Sequence, residues 1–140
     1  MNNQDVQQKA GRVLLADRHQ SMLEGIRNLL ETVFEVVVMV ADEKSLLDSL
    51  DKVHPDLVVV DLSLAITEEV NVARRIKKRL PEMKVIILSV HDEQTAVDDC
   101  LSAGAAGFVL KRTATNDLIP AVWEALKGRT YVSPSVEMER

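Results

Sequence analysis

The chain has 140 residues, which at roughly 100–200 residues per domain is one domain around a single core. Its 46% hydrophobic and 28% charged residues, with 5 Gly and 4 Pro, exclude collagen, coiled-coil and disordered classes. A net charge of −5, and no aromatic residues beyond Phe34, Phe108, Trp123 and Tyr131, argue against a domain that grips a phosphate backbone or stacks bases.

Five apolar runs alternate with segments of helical spacing. The first run, VLLA at 13–16, precedes a segment with Met22, Ile26, Leu29 and Val33 at steps of three and four and Arg27, Asn28 and Glu31 facing away. The second run, 35–41, leads to Leu46, Leu47, Leu50 and Val53, with Asp42 placed to cap that helix. After the third run, 57–60, Ala73, Ile76 and Leu80 share a helix side that ends at Pro81. The fourth run, 85–88, is followed by Ala96, Val97, Cys100 and Leu101, with Gly104 as the C-terminal cap. The fifth, 106–110, is followed by Leu118, Val122, Ala125 and Leu126 before Gly128; Pro120 lies inside this segment, so the helix starts late or kinks there. Short β-branched runs of this kind predict strands buried on both faces, as in a parallel sheet. The fold class is therefore α/β, a doubly wound parallel sheet with helices on both faces.

The remaining features read blandly. Cys100 stands alone, which rules out an internal disulfide, and it falls on an apolar helix side. His19, His54 and His91 are dispersed; His19 and His91 are placed near one face, but no zinc site is expected. The basic cluster of Arg74, Arg75, Lys77, Lys78 and Arg79 reads as a solvated helix end rather than a nucleic-acid patch. Trp123 is expected half exposed, as a contact surface or a plain core residue. The N-terminal MNNQDVQQKAGR lacks an apolar export core, and the apolar run at 36–41 is far below the ~20 residues of a membrane span. The expected localisation is cytoplasmic, without membrane contact.

In an open parallel sheet, ligands bind beyond the carboxyl ends of the strands. The polar residues at those ends are Asp17, Asp61, Ser89 and Lys111. A polar residue must follow any buried strand, so each alone reads as a cap or solvated end. Together they suit phosphoryl chemistry: a carboxylate nucleophile, a second carboxylate for a cation, and a hydroxyl and an ammonium for the phosphoryl oxygens.

These residues sit in VLLADRHQSMLEGIRNLLE, PDLVVVDLSLA, VIILSVHDE and GAAGFVLKRTATNDLIPAVWEALKGRTYVSP. From Arg12 to Pro134 the chain resembles the receiver domain of two-component response regulators, of the NarL/FixJ (LuxR-type) subfamily. The resemblance implies a (βα)5 flavodoxin-like sheet of five parallel strands in order 2-1-3-4-5. It implies Asp61 as phosphoacceptor, Ser89, Lys111 and Phe108 as phosphoryl-binding or switch residues, and a Mg2+ ion held by Asp17, Asp61 and the backbone carbonyl of Ser63. It implies a sensor histidine kinase or phosphotransfer protein as partner, leaves a homodimer open, and implies transcriptional regulation, with DNA reached only through an output domain that this sequence does not contain. Residues 1–11 read as a flexible N-terminal segment, 12–130 as the receiver domain, and 131–140 as a tail or the start of a linker to that output domain. Such a domain is no enzyme beyond its own phosphorylation and dephosphorylation.

Two departures bear on the metal. Arg18 stands where the family carries a second acid; it cannot ligate a cation and is expected to weaken Mg2+, and its side chain is expected either to point outward into solvent or to pair with Asp61 in place of the ion. The 65–69 segment, AITEE, lacks the Pro and Gly residues common there, so the loop is expected to take another path. The alternative function is thus an atypical receiver that binds partners without phosphorylation. A phosphohydrolase would carry an acid two residues past the nucleophile, where this chain has Ser63, and no glycine-rich nucleotide loop follows the first strand.

Overall fold

The apolar runs and amphipathic segments form one sheet with helices on both faces. The structure, a computed structural model, describes residues 9–64 and 71–137. The expectation for the 65–69 loop, and most of that for the N-terminal segment, lie outside the described residues. In chain order come β1 (Ala10–Ala16), α1 (Gln20–Glu31), β2 (Phe34–Val40), α2 (Glu43–Val53) and β3 (Leu57–Asp61). A turn of 3-10 helix (Leu62–Leu64) follows, then α3 (Val72–Arg79), β4 (Val85–Ser89), α4 (Gln94–Ser102) and β5 (Gly107–Leu110). A second 3-10 turn (Lys111–Thr113) leads into α5 (Ala114–Leu126), β6 (Tyr131–Val132) and α6 (Pro134–Glu137).

The sheet order is β2-β1-β3-β4-β5-β6, every pair parallel. The five-strand order agrees with the expected one, and Tyr131 and Val132 add a short sixth strand on β5. Strand side chains alternate between two cores, as the period of two requires. Leu14, Val58, Val60, Ile87 and Phe108 pack with Leu46, Ile76, Val97 and Cys100 of α2 to α4. Val13, Leu15, Val59, Ile86, Leu88 and Val109 pack with Ile26, Leu30, Leu118 and Val122 of α1 and α5. Each fully buried aliphatic side chain contributes about 1.5–3 kcal/mol, which makes these two layers the main source of stability.

One strand departs from expectation. β2 was expected to be buried on both faces, but Val36 and Met39 are exposed, because β2 is an edge strand and only β1 pairs with it. The predicted caps are in place: Asp42 accepts a hydrogen bond from the Ser45 amide at 2.7 Å, and Gly104 ends α4 at φ +98°. Pro120 lies inside α5, which begins at Ala114 rather than after the proline. It is exposed, so the carbonyl it leaves without an intrahelical donor faces water. Interior proline costs about 3 kcal/mol relative to alanine, offset by roughly 1 kcal/mol of lost chain freedom when unfolded. Pro120→Ala is therefore expected to raise stability by about 1–2 kcal/mol in urea unfolding.

Candidate functional site

Strand register decides which polar groups meet. Ala16 pairs with Val60, Asp61 with Leu88, and Ser89 with Leu110. Asp17, Asp61, Ser89 and Lys111 therefore emerge together at the carboxyl edge of four adjacent strands, and all four are buried. A buried charge needs a partner, and here the pairing is internal. Lys111 Nζ lies 2.7 Å from Asp17 Oδ2 and 3.3 Å from Asp61 Oδ1. The His19 amide donates to Asp17 Oδ1 at 2.8 Å, and the Ser63 hydroxyl donates to Asp61 Oδ2.

His19 is more central than its sequence context suggested. Its Nδ1 lies 3.2 Å from Asp17 Oδ1, 3.6 Å from Asp61 Oδ2 and 3.2 Å from Lys111 Nζ. Its companions are carboxylates rather than histidine or cysteine. The signal was available in the Asp17-Arg18-His19 spacing, which returns His19 to the side of Asp17 at the turn after β1.

Of the two expected placements of Arg18, the pair with Asp61 does not form; the residue is exposed, yet its side chain is not simply solvated. Its guanidinium donates to the Ser63 carbonyl at 2.9 Å and to the Leu64 carbonyl at 3.2 Å. The physical reason is prior occupancy: Lys111 and the Ser63 hydroxyl already hold the Asp61 oxygens, while the carbonyls of the 3-10 turn are open to a reaching side chain.

Ser89 shares the sheet edge with this cluster but bonds elsewhere, and Phe108 sits in the core beneath it. The Ser89 hydroxyl accepts from the His91 amide at 2.8 Å and donates to the His91 carbonyl at 3.0 Å, so it faces its own loop. Phe108 is fully buried in the core layer shared with α3 and α4.

Asp17, His19 and Asp61 offer ligand atoms within 4.8 Å of one another, an acidic set compatible by itself with a divalent cation such as Mg2+. The oxygen shell as a whole does not fit that ion, because the Ser63 carbonyl is bonded to the Arg18 guanidinium.

A third buried carboxylate lies outside the set of strand-end groups. Asp117 on α5 accepts hydrogen bonds from Thr113 Oγ1 at 2.5 Å, Ser133 Oγ at 2.7 Å and the Tyr131 hydroxyl at 3.0 Å. Ser133 Oγ in turn accepts from the Leu110 amide at 3.0 Å. This network ties β6 and α5 to the end of β5, next to Lys111. Burial, reinforced by the bond to Asp117, pushes the Tyr131 hydroxyl up to about 12.

Comparison with known proteins points the same way as the geometry. The family profile described as "Response regulator receiver domain" matches residues 13–123. The transcriptional regulatory protein DegU of Brevibacillus brevis is 32% identical over 136 residues, covering 96% of this chain and 58% of DegU. A LuxR-family two-component response regulator from Aurantimonas sp. SI85-9A1 superposes with a TM-score of 0.85 at 29% identity, over 94% of this chain and 95% of that one. The isolated receiver domain of RcsB from Salmonella enterica serovar Typhimurium, solved in the presence of the phosphomimetic BeF3−, gives 0.81 at 28% identity, over 93% and 98% of the two chains. The chain spans about three fifths of the length of the curated relatives it matches.

Proposed function

Because the chain belongs to the response regulator receiver domain family, a phosphoacceptor signalling module rather than a catalytic enzyme, we propose that Asp61 accepts a phosphoryl group and that the change switches a partner. The donor is a sensor histidine kinase or phosphotransfer protein. The output is transcriptional, a reading supported by the similarity to DegU, a transcriptional regulatory protein, and DNA is reached through an output domain outside this chain. RcsB is known as dimers bound to DNA, which supports a homodimer as the switched assembly. The module works in the cytoplasm; no helix among the described residues is long and apolar enough to cross a membrane.

The observation that carries this reading is Asp61 at the open edge of the sheet with Lys111 Nζ 3.3 Å away. A groove between α1 and α5, lined by Met22, Ile26, Leu29 and Ala114, reaches Lys111 and offers a donor a docking surface beside the site. An Asp61 carboxylate oxygen attacks phosphorus while the bond from phosphorus to the donor nitrogen or oxygen breaks. The departing group takes the electron pair and a proton from solvent, leaving an acyl phosphate on Asp61. Lys111, anchored by Asp17, balances the charge on the phosphoryl oxygens, and Ser63 and His19 are placed to contact them. Ser89 and Phe108 serve as switch residues, Ser89 by leaving its bonds to His91 for the phosphoryl group.

A second reading, an interaction module that works without phosphate, is favoured by the Arg18 bonds that already brace the turn after Asp61. Intact mass after incubation with acetyl phosphate separates the two. One phosphoryl adduct is expected on the native chain and none on Asp61→Asn. Folded protein without an adduct at any magnesium concentration would overturn the phosphoacceptor reading.

A further inference from the structure

Each carboxylate oxygen of the site lies against a group supplied by the chain, Asp17 Oδ2 through its ion pair with Lys111 alone, without a hydrogen bond. Asp17 Oδ1 is held by the His19 amide, Asp17 Oδ2 and Asp61 Oδ1 by Lys111, and Asp61 Oδ2 by the Ser63 hydroxyl. The two carbonyls that follow Asp61, on Ser63 and Leu64, both accept from Arg18. Lys111 thus pairs with both carboxylates, and the Arg18 guanidinium on the neighbouring carbonyls adds a second positive group, matching the two acids in number without an ion. A divalent cation entering here would have to displace Lys111 or His19 contacts and then sit beside a guanidinium already on its carbonyl ligand.

We propose that Arg18 is the resident cation of this site: it takes the carbonyl position that a divalent ion would use, so that such ions bind weakly and are not needed to load Asp61. The second half rests on the phosphoacceptor reading above. Arg18 spans the gap between the turn after β1 and the turn after β3, the work a shared metal ligand would otherwise do. A guanidinium suits it because it is always charged and its terminal Nη2 carries two N–H donors, which reach both carbonyls at once.

The proposal differs from a plain structural brace in what it says about metal. Calorimetric titration of MgCl2 and MnCl2 into the native chain, Arg18→Asp and Arg18→Ala reads affinity directly. Arg18→Asp, which removes the guanidinium and adds a carboxylate, is expected to bind Mg2+ at least tenfold more tightly than the native chain, a change of roughly the size seen when a metal site's supporting groups are altered. Arg18→Ala, which only frees the carbonyls, is expected in between, and it carries the test if circular dichroism shows Arg18→Asp unfolded. Native affinity equal to that of both variants would overturn the assignment. Intact mass with acetyl phosphate in EDTA tests the second half. An adduct that persists in EDTA supports it, and one that vanishes overturns it while leaving Asp61 as the acceptor. No adduct with or without metal, beside tighter Mg2+ binding in the variants, overturns the phosphoacceptor reading alone and leaves Arg18 as the resident cation.

Discussion

Lys111→Met is expected to destabilise the fold by about 3–5 kcal/mol in urea unfolding, the range for removing one partner of a buried ion pair. The side chains of Lys111, Asp17 and Asp61 are 3%, 1% and 3% exposed, so neither water nor salt can replace the lost ammonium. The Arg112–Asp92 pair at 3.1 Å makes the contrast. With side chains 52% and 35% exposed, it is the kind of pair whose loss costs about 0–1 kcal/mol. The mechanism predicts a coupling as well: adding Asp61→Asn to Lys111→Met should recover part of the loss, because an amide beside Asp17 no longer repels it. Simple addition of the two single effects would contradict that explanation.

Asp117→Ala is expected to cost about 2–4 kcal/mol, because the hydroxyls of Thr113, Tyr131 and Ser133 lose a buried charged acceptor together. Asp117→Asn keeps an acceptor oxygen and should cost less. A spectroscopic readout is specific to the network. The Tyr131 hydroxyl is raised from 10.0 to about 12 by burial first and by Asp117 second, so Asp117→Ala should lower it only part of the way. The sign for stability follows from the raised value. The Tyr131 contact is complete below pH 10.0 and is lost as pH rises towards about 12, since the unfolded chain releases that proton first. Ultraviolet titration of tyrosine in both chains checks the shift, and an unchanged titration in Asp117→Ala would remove Asp117 from its cause. Because β6 pairs with Gly107 and Phe108, the same substitution should loosen the C-terminal segment from β5, measurable as faster amide exchange at Tyr131 and Ser133.

The strands and the four strand-end groups were legible because burial leaves a one-dimensional trace. Runs such as 57–60 and 85–88 are apolar at every position, and the first polar residue after each is forced to the sheet edge, which brings Asp17, Asp61, Ser89 and Lys111 together. The exposure of Val36 and Met39 was not legible, since an edge strand and a central strand share the same composition and differ only in neighbours. The direction of Arg18 was equally hidden. Its charge suited either a carboxylate partner or open solvent, and the carbonyls of Ser63 and Leu64 as partners depend on which oxygens other groups hold first. Asp117 left a faint trace, the Thr113 and Asp117 spacing of four on one helix side. Its partners Tyr131 and Ser133 become neighbours only once β6 pairs with β5, and a two-residue strand has no period to read.

The proposed phosphoacceptor role of Asp61 is tested most directly by borohydride reduction of the chain after acetyl phosphate treatment, followed by peptide mass mapping. An acyl phosphate is reduced to an alcohol, so the peptide that spans Asp61 should carry homoserine at that position, and Asp61→Asn should show no such product. Aspartate intact at position 61, with homoserine at Asp17 or elsewhere, would contradict the account.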